Sequence, residues 1–373
     1  MALYKTLVSK VSIPADKKTK QKEYLKNGKL PIIDQGQELI GGYTDDYGKE
    51  IVCEKPVLIF GDHTCAVKYI TFPFGAGADG IKILRPIEGV DSKYLFYGTQ
   101  YLVLRLSDRG YARHYQHIEK MDFPIQPLPV QELIVDKIEE LFSELDSAVS
   151  SLLTTKEQLQ VYRQAVLKNA FKDLTIKKPI REVSRIVTSG SRGWAKYYAD
   201  NGARFIRITD LTRDKIILKN DNIQRVALPE KAEGTRSRLE SNDVIISITA
   251  DLGSIALIPR DIEESYINQH IAMVRFINPS QGEFMAWYLK SDWGQKDLLK
   301  NKRGGGKQGL GLDDIRDTPV PIVEDCMANQ IVAEIEARLS VCDSIEKTVN
   351  EALQQAEAMR HSILKKAFEG RLV

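Results

Sequence analysis

The sequence predicts a mixed α/β chain in which two strand- and loop-rich globules alternate with two long helices that pair with each other. Three observations carry the prediction. A stretch of 38 residues returns, without a gap, 197 positions later. Each copy spaces its apolar residues in alternating steps of four and three, with no Pro or Gly inside the pattern. Ahead of each copy lie short β-branched runs bounded by Gly, Asp and Asn, the pattern of strands joined by turns. At 373 residues the chain exceeds one ordinary core, so two or more domains are expected.

The first globule is assigned to residues 1–126, with strands expected at 31–34, 57–60 and 80–85. Polar clusters, Gln35-Gly36-Gln37 and Asp62-His63-Thr64, follow the first two. Near its end, basic and aromatic groups interleave at Arg105, Arg109, Tyr111, Arg113, His114 and His117. The first helix is assigned to 127–172, with Pro129 at a sensible start position. Its expected seam is Ile134, Ile138, Leu141, Leu145, Ala148, Leu152, Thr155, Leu159, Tyr162 and Val166. Roughly 38 helical residues make a rod of about 57 Å.

The second globule, 173–325, repeats the strand signals at 206–210, 244–247 and 270–275. The first globule is the shorter of the two, which predicts abbreviated N-terminal strands. The second helix, 326–373, keeps the heptad frame with Ile331, Ile335, Cys342, Ile345, Val349, Ala352, Ala356, Met359 and Ile363. Arg338 interrupts that frame, and Leu339 beside it is able to take over. Thirteen of the 38 aligned positions are identical, among them Ile134/Ile331, Ile138/Ile335, Asp146/Asp343 and Phe171/Phe368. Matched seams within one chain favour an intramolecular pair over a dimerisation stalk.

Charge narrows the function classes. The net charge is +2, too small for a histone-like binder held by bulk electrostatics. By segment the balance is +3 over 1–125, −2 over 126–172, +2 over 173–325 and −1 over 326–373. Such values allow DNA binding by a few placed residues, and the slightly acidic helices suit a protein partner better than phosphates. No apolar run approaches the roughly 20 residues of a membrane span. The N-terminus has no secretion signature, and Cys53, Cys65, Cys326 and Cys342 lack a framework spacing. Both features fit a reducing cytoplasm.

Two variable globules, each followed by a related long helix, resemble the specificity subunit of type I restriction–modification systems. The segments that carry the resemblance are Pro127-Leu128-Pro129-Val130-Gln131 through Phe171, and Pro319-Val320-Pro321 through Phe368. Thr188-Ser189-Gly190-Ser191-Arg192, Asp243-Val244-Ile245-Ile246-Ser247-Ile248 and Gly304-Gly305-Gly306-Lys307-Gln308 add to it. The resemblance covers the whole chain. It implies that each globule is a target-recognition domain reading one half of a split double-stranded DNA site. It further implies that the helices form an antiparallel coiled coil docking two methyltransferase (modification) subunits. It implies as well that nuclease/translocase (restriction) subunits complete the assembly and that the chain itself is non-catalytic. Two different globules predict an asymmetric site.

Within that reading, Ser189, Ser191 and Arg192 form a loop of small donors able to approach DNA closely, with Arg192 suited to a guanine edge. Lys302, Arg303 and Lys307 suit phosphates, and Gln308 suits adenine. In the first globule Arg109, Tyr111, Arg113 and His114 are the counterpart candidates, with Gln35, Gln37 and His63 in the polar clusters.

Other chemistries fail on the residues. Lys307 is followed by Gln308 rather than Ser or Thr, and the glycines are wrongly spaced for a phosphate-binding loop. Cys53, His63 and Cys65 lack the paired spacing of a zinc site, so no metal is expected. No cofactor loop, Asn/Asp-Pro-Pro-Tyr motif or nucleophile elbow occurs, so no cofactor is expected. A scaffold that binds only proteins would need loops poor in Arg, Lys and Gln, and these are not.

Overall fold

The computed structural model describes residues 1–78, 80–106, 112–229, 235–300 and 309–373. The chain divides into two compact units, Met1–Leu153 with Asn350–Val373, and Thr154–Val349. Each unit takes part of both long helices, Leu128–Phe171 and Asp325–Phe368, 44 residues apiece.

In the first unit, Val57–Gly61 is buried along its whole length, as its unbroken apolar run requires of a central strand. It stands in a four-stranded antiparallel sheet in the order Val8–Val11, Ile81–Pro86, Val57–Gly61, Val67–Ile70. A second sheet pairs Leu30–Ile33 in parallel with Phe74–Gly77, and carries Lys18–Thr19, Gly42–Thr44 and Glu50–Ile51. Helix Ser92–Leu104 packs Tyr94, Leu95 and Leu102 into one cluster with Leu58, Phe60 and Leu84 of the first sheet. Asp91 caps that helix, accepting from Tyr94 N at 2.7 Å.

Gln131, in the first turns of the first long helix, is fully buried with both ends of its amide hydrogen-bonded. Its Oε1 accepts from Asp91 N at 2.8 Å, and its Nε2 donates to Gly89 O and Gln126 O at 3.0 and 2.8 Å. One amide side chain thus ties the long helix to the start of the globule's own helix.

The second unit repeats this plan. Its four-stranded sheet runs Ser184–Ser189, Ile271–Phe276, Val244–Ser247, Ile255–Leu257, again wholly antiparallel. Its second sheet again has a parallel pair, Ala203–Ile206 with Ser265–Ile267, beside Arg225–Val226 and Tyr198–Ala199. Helix Gly282–Lys290 occupies the place of Ser92–Leu104, with Phe284 and Tyr288 against Phe171. The first unit's leading strands are the shorter ones: Ala2–Leu3 and Val8–Val11 against Lys177–Pro179 and Ser184–Ser189.

The helices run antiparallel. In the first unit Arg360 bonds Asp146 and lies 4.6 Å from the Phe142 ring centroid. In the second, Arg163 bonds Asp343 and, at 3.0 Å, Glu346. The two bridges are copies of one another under the 197-residue displacement, which carries Arg163 onto Arg360 and Asp146 onto Asp343.

One half of the expected seam is partly turned. Ile138, Leu145, Leu152 and Leu159 are buried or half-buried, as are Ile335, Cys342, Val349 and Ala356. The expected alternating positions are shared: Thr155 and Ala352 are half-buried and Val166 is buried, but residues four on from the first set also turn inward. These are Phe142, Val149, Lys156 and Arg163 in the first helix, and Leu339, Glu346, Leu353 and Arg360 in the second. Ile345 and Met359, expected in the seam, are 40% and 53% exposed, and Tyr162 is 48% exposed. Ile134 is buried, and Leu141, Ile331 and Ile363 are half-buried at the flank. Arg163 and Arg360 can occupy such positions because their long aliphatic stems pack on apolar neighbours while their heads reach carboxylates of the facing helix. Burial works against the Arg163 charge, yet the hydrogen bond and charge of Asp343 outweigh it and push its pKa up. Asp343 is likewise opposed by burial but held below the usual carboxylate range by Lys215 and Arg163.

Candidate nucleic-acid interface

In each unit the loop after the central strand is a meeting point. Asp62, directly after Val57–Gly61, donates its N–H to Gly80 O at 2.6 Å and accepts at its carbonyl from His114 N at 2.8 Å. Ile248 stands in the same place after Val244–Ser247, donating to His270 O at 2.9 Å and accepting from Leu310 N at 3.0 Å. Both loops include a residue in the left-handed region, Cys65 and Ala250, each with φ of 57°. The repeated backbone frame therefore holds His114 and Leu310 at matching positions. These are the residues to which the chain returns just after its two basic stretches.

In the first unit this frame gathers most of the candidates. His63 Nδ1 lies 3.1 Å from Ala112 O, and Asp62 Oδ1 accepts from Tyr115 N at 3.0 Å. Thr64 Oγ1 donates to Gln35 O, and Gln37 Nε2 donates to Thr64 O at 3.3 Å. Gln35, Gln37, His63 and His114, distant in sequence, thus share one loop cluster. His114 is buried, and Arg113 beside it is exposed. Behind the cluster Lys68 is buried and donates to Asp34 O at 2.8 Å, and burial lowers its pKa against the pull of Asp34. Arg109 and Tyr111 lie outside the described residues.

In the second unit Ser189 ends strand Ser184–Ser189, and Ser191 bridges to Asn268. Gly190 between them has no room for a side chain, since a Cβ would stand 1.9 Å from Ile267 O. The chain can therefore cross here only as glycine, which presents Arg192 exposed beyond the crossing. Trp194 turns inward, packed on Phe205, Val226 and Tyr266. Lys302, Arg303, Lys307 and Gln308 lie outside the described residues. Gly309, the next residue in sequence, bridges to Thr249.

Sequence reasoning missed a polar set at this point. His270 Nδ1 lies 2.8 Å from Thr249 Oγ1, and Gln269 Nε2 lies 3.0 Å from His270 Nε2. His270 thus links Gln269 and Thr249 through its two ring nitrogens. Exposed Arg236 also reaches this side, its Nε donating to Thr188 Oγ1 at 3.3 Å. The signal available in sequence was the match of 270–275 to 80–85, which aligns His270 with Gly80. The cluster holds hydrogen-bonding groups on loops carried by rigid sheets, an arrangement that suits recognition.

The model of the type I restriction modification DNA specificity domain matches residues 10–154 and 178–355. The chain belongs to that family. It is a type I specificity subunit, the DNA-recognition component of its system rather than the component that methylates or cuts. It is 24% identical to the EcoBI specificity subunit of Escherichia coli over 369 residues, covering 90% of this chain and 74% of that one. The StySPI specificity subunit of Salmonella potsdam is 25% identical, with 78% and 67% covered. Among solved structures, a chain from a type I R-M system superposes with a TM-score of 0.74 at 15% identity, covering 99% and 97%. The HsdS subunit of Thermoanaerobacter tengcongensis gives 0.53, also at 15% identity, covering 99% and 96%. The specificity subunit therefore shares its fold with both. Among the described residues no helix is long and apolar enough to cross a membrane.

Proposed function

We propose that this specificity subunit reads a bipartite, asymmetric double-stranded DNA site. Residues 1–126 and 173–325 act as the two target-recognition domains, and the helical segments 127–172 and 326–373 act as the spacer. The single observation that supports this is the repeated loop frame. In both units the same hydrogen-bonded backbone carries different side chains: Asp62, His63 and His114 in one, Ile248, Thr249, His270 and Leu310 in the other. Identical scaffolding with different donors and acceptors is what two unlike half-sites require.

Ser189, Ser191, Arg192 and Gln308 read base edges with Gln35, Gln37 and His63, while buried His114, expected from sequence to join them, holds the frame of the loop. Lys302, Arg303, Lys307, Arg109, Tyr111 and Arg113 hold phosphates or stack. Two methyltransferase subunits dock on the helices, restriction subunits join them, and the assembly works in the cytoplasm. The target adenine is flipped into a methyltransferase pocket, not into this chain. Methylome sequencing of the host with and without the gene tests the reading. One gapped, non-palindromic adenine motif should vanish on deletion. Loss of no motif, or of a palindromic one, overturns it.

A further inference from the structure

The two units fill one pair of positions with opposite chemistry. In the first, Lys93 bonds Glu139 of the first long helix at 2.6 Å, and the Tyr97 hydroxyl donates to the same carboxylate at 3.3 Å. Lys93 and Tyr97 are the second and sixth residues of helix Ser92–Leu104. The second and sixth residues of the equivalent helix Gly282–Lys290 are Glu283 and Trp287. The 197-residue displacement carries Glu139 onto Glu336. A lysine–glutamate bridge has thus become two carboxyls on one cavity wall, and the tyrosine has become an indole.

Glu283, Trp287 and Glu336 line a cavity of about 410 Å³. Trp287 is only 6% exposed, and its Nε1 has no hydrogen-bond partner among the described residues. Burial and the neighbouring Glu336 push the Glu283 carboxyl up to about 7, against the pull of Arg260. The other charged groups on the wall are Arg163, Asp214, Lys215 and Asp343. Arg163 and Lys215 are both already bonded to Asp343. The wall is left with the Glu283 carboxyl, raised despite Arg260, beside the exposed Glu336, and with a buried indole donor that has no acceptor among the described residues, which is costly to leave unmet.

We propose that this cavity binds a small primary alkylammonium compound bearing an oxygen acceptor, such as an amino alcohol. The ammonium sits between Glu283 and Glu336, in the role Lys93 plays in the other unit, and the oxygen accepts from Trp287 Nε1.

The test is thermal melting of the full chain at pH 8 with 3-amino-1-propanol, against sodium chloride at matched ionic strength and against 1-propanol. The amine should raise Tm by about 3 °C at ten times its Kd, and 1-propanol should not. E283K, which supplies the lysine internally, should melt higher than wild type and bind the amine at least tenfold more weakly. E283Q, which removes one charge without adding a cation, should also bind more weakly. Binding by the wild type should weaken at pH 6. Equal shifts in wild type, E283K and E283Q, or no shift by the amine beyond that of sodium chloride, would overturn the proposal.

Discussion

The proposed function gives Arg192 and Lys302 two different ways of holding DNA, which a single binding curve does not separate. If Arg192 reads a base, Arg192→Ala should cost roughly 1–3 kcal/mol on the cognate duplex and little on a scrambled one. Lys302→Ala and Arg303→Ala should weaken both duplexes alike and flatten the salt dependence. Competition titrations at two salt concentrations distinguish the classes, and equal losses for Arg192→Ala would move it among the phosphate contacts. A second residue-scale expectation concerns pH. The folded chain holds the Glu283 proton up to about 7, against an ordinary value of 4.5. Between those values the folded state binds more protons than the unfolded one, so this group's contribution to stability falls as pH rises. Glu283→Gln should lose less stability than wild type between pH 5 and pH 8 in denaturant titrations. Parallel losses would mean the carboxyl titrates normally.

At the scale of elements, both long helices and the strands at 57–60, 244–247 and 80–85 were legible because their signals are local. A period of four and three, or an unbroken β-branched run, needs no knowledge of partners. Strand order was not legible. Pairing Val8–Val11 with Ile81–Pro86 joins residues more than 70 positions apart, and nothing local in either strand specifies it. The seam was half legible for a different reason. Met359 outranks Arg360 on hydrophobicity, yet Arg360 takes the seam position because Asp146 faces it. The helical repeat did hold that information, since it pairs Arg163 with Arg360 and Asp146 with Asp343. The loop cluster was legible as a set of polar residue types, but its members meet only through the sheet that brings residues 35, 63 and 114 together. The seam arginine makes a prediction of its own. Arg163 is nearly buried while Asp343 is 42% exposed, so solvent screens part of their attraction. Arg163→Met keeps the stem and should cost less than about 1 kcal/mol, whereas Arg163→Ala should cost about 1–3 kcal/mol. Chemical denaturation decides. Equal costs would show that charge, not packing, seats the residue.

At the scale of the whole molecule, the proposal makes the helices a ruler, and a ruler can be lengthened. Leu152 and Val349 are equivalent under the 197-residue displacement, so four residues inserted after each extend both helices at matching points. Four residues are close to one turn of 3.6, which keeps the flanking apolar faces nearly in line with a local stutter. Each insertion adds about 6 Å, or one to two base pairs at roughly 3.4 Å per pair. Every added pair also rotates the far half-site by about 35°. Strain must then fall on protein or DNA, which favours one extra pair over two. Methylome mapping of a host carrying the lengthened subunit should therefore show both half-sites unchanged, with a gap one pair longer. An unchanged gap would mean that the globules, not the helices, set the spacing. Altered bases inside a half-site would mean that the recognition loops depend on the helix register, and the separation of reading from measuring would fail.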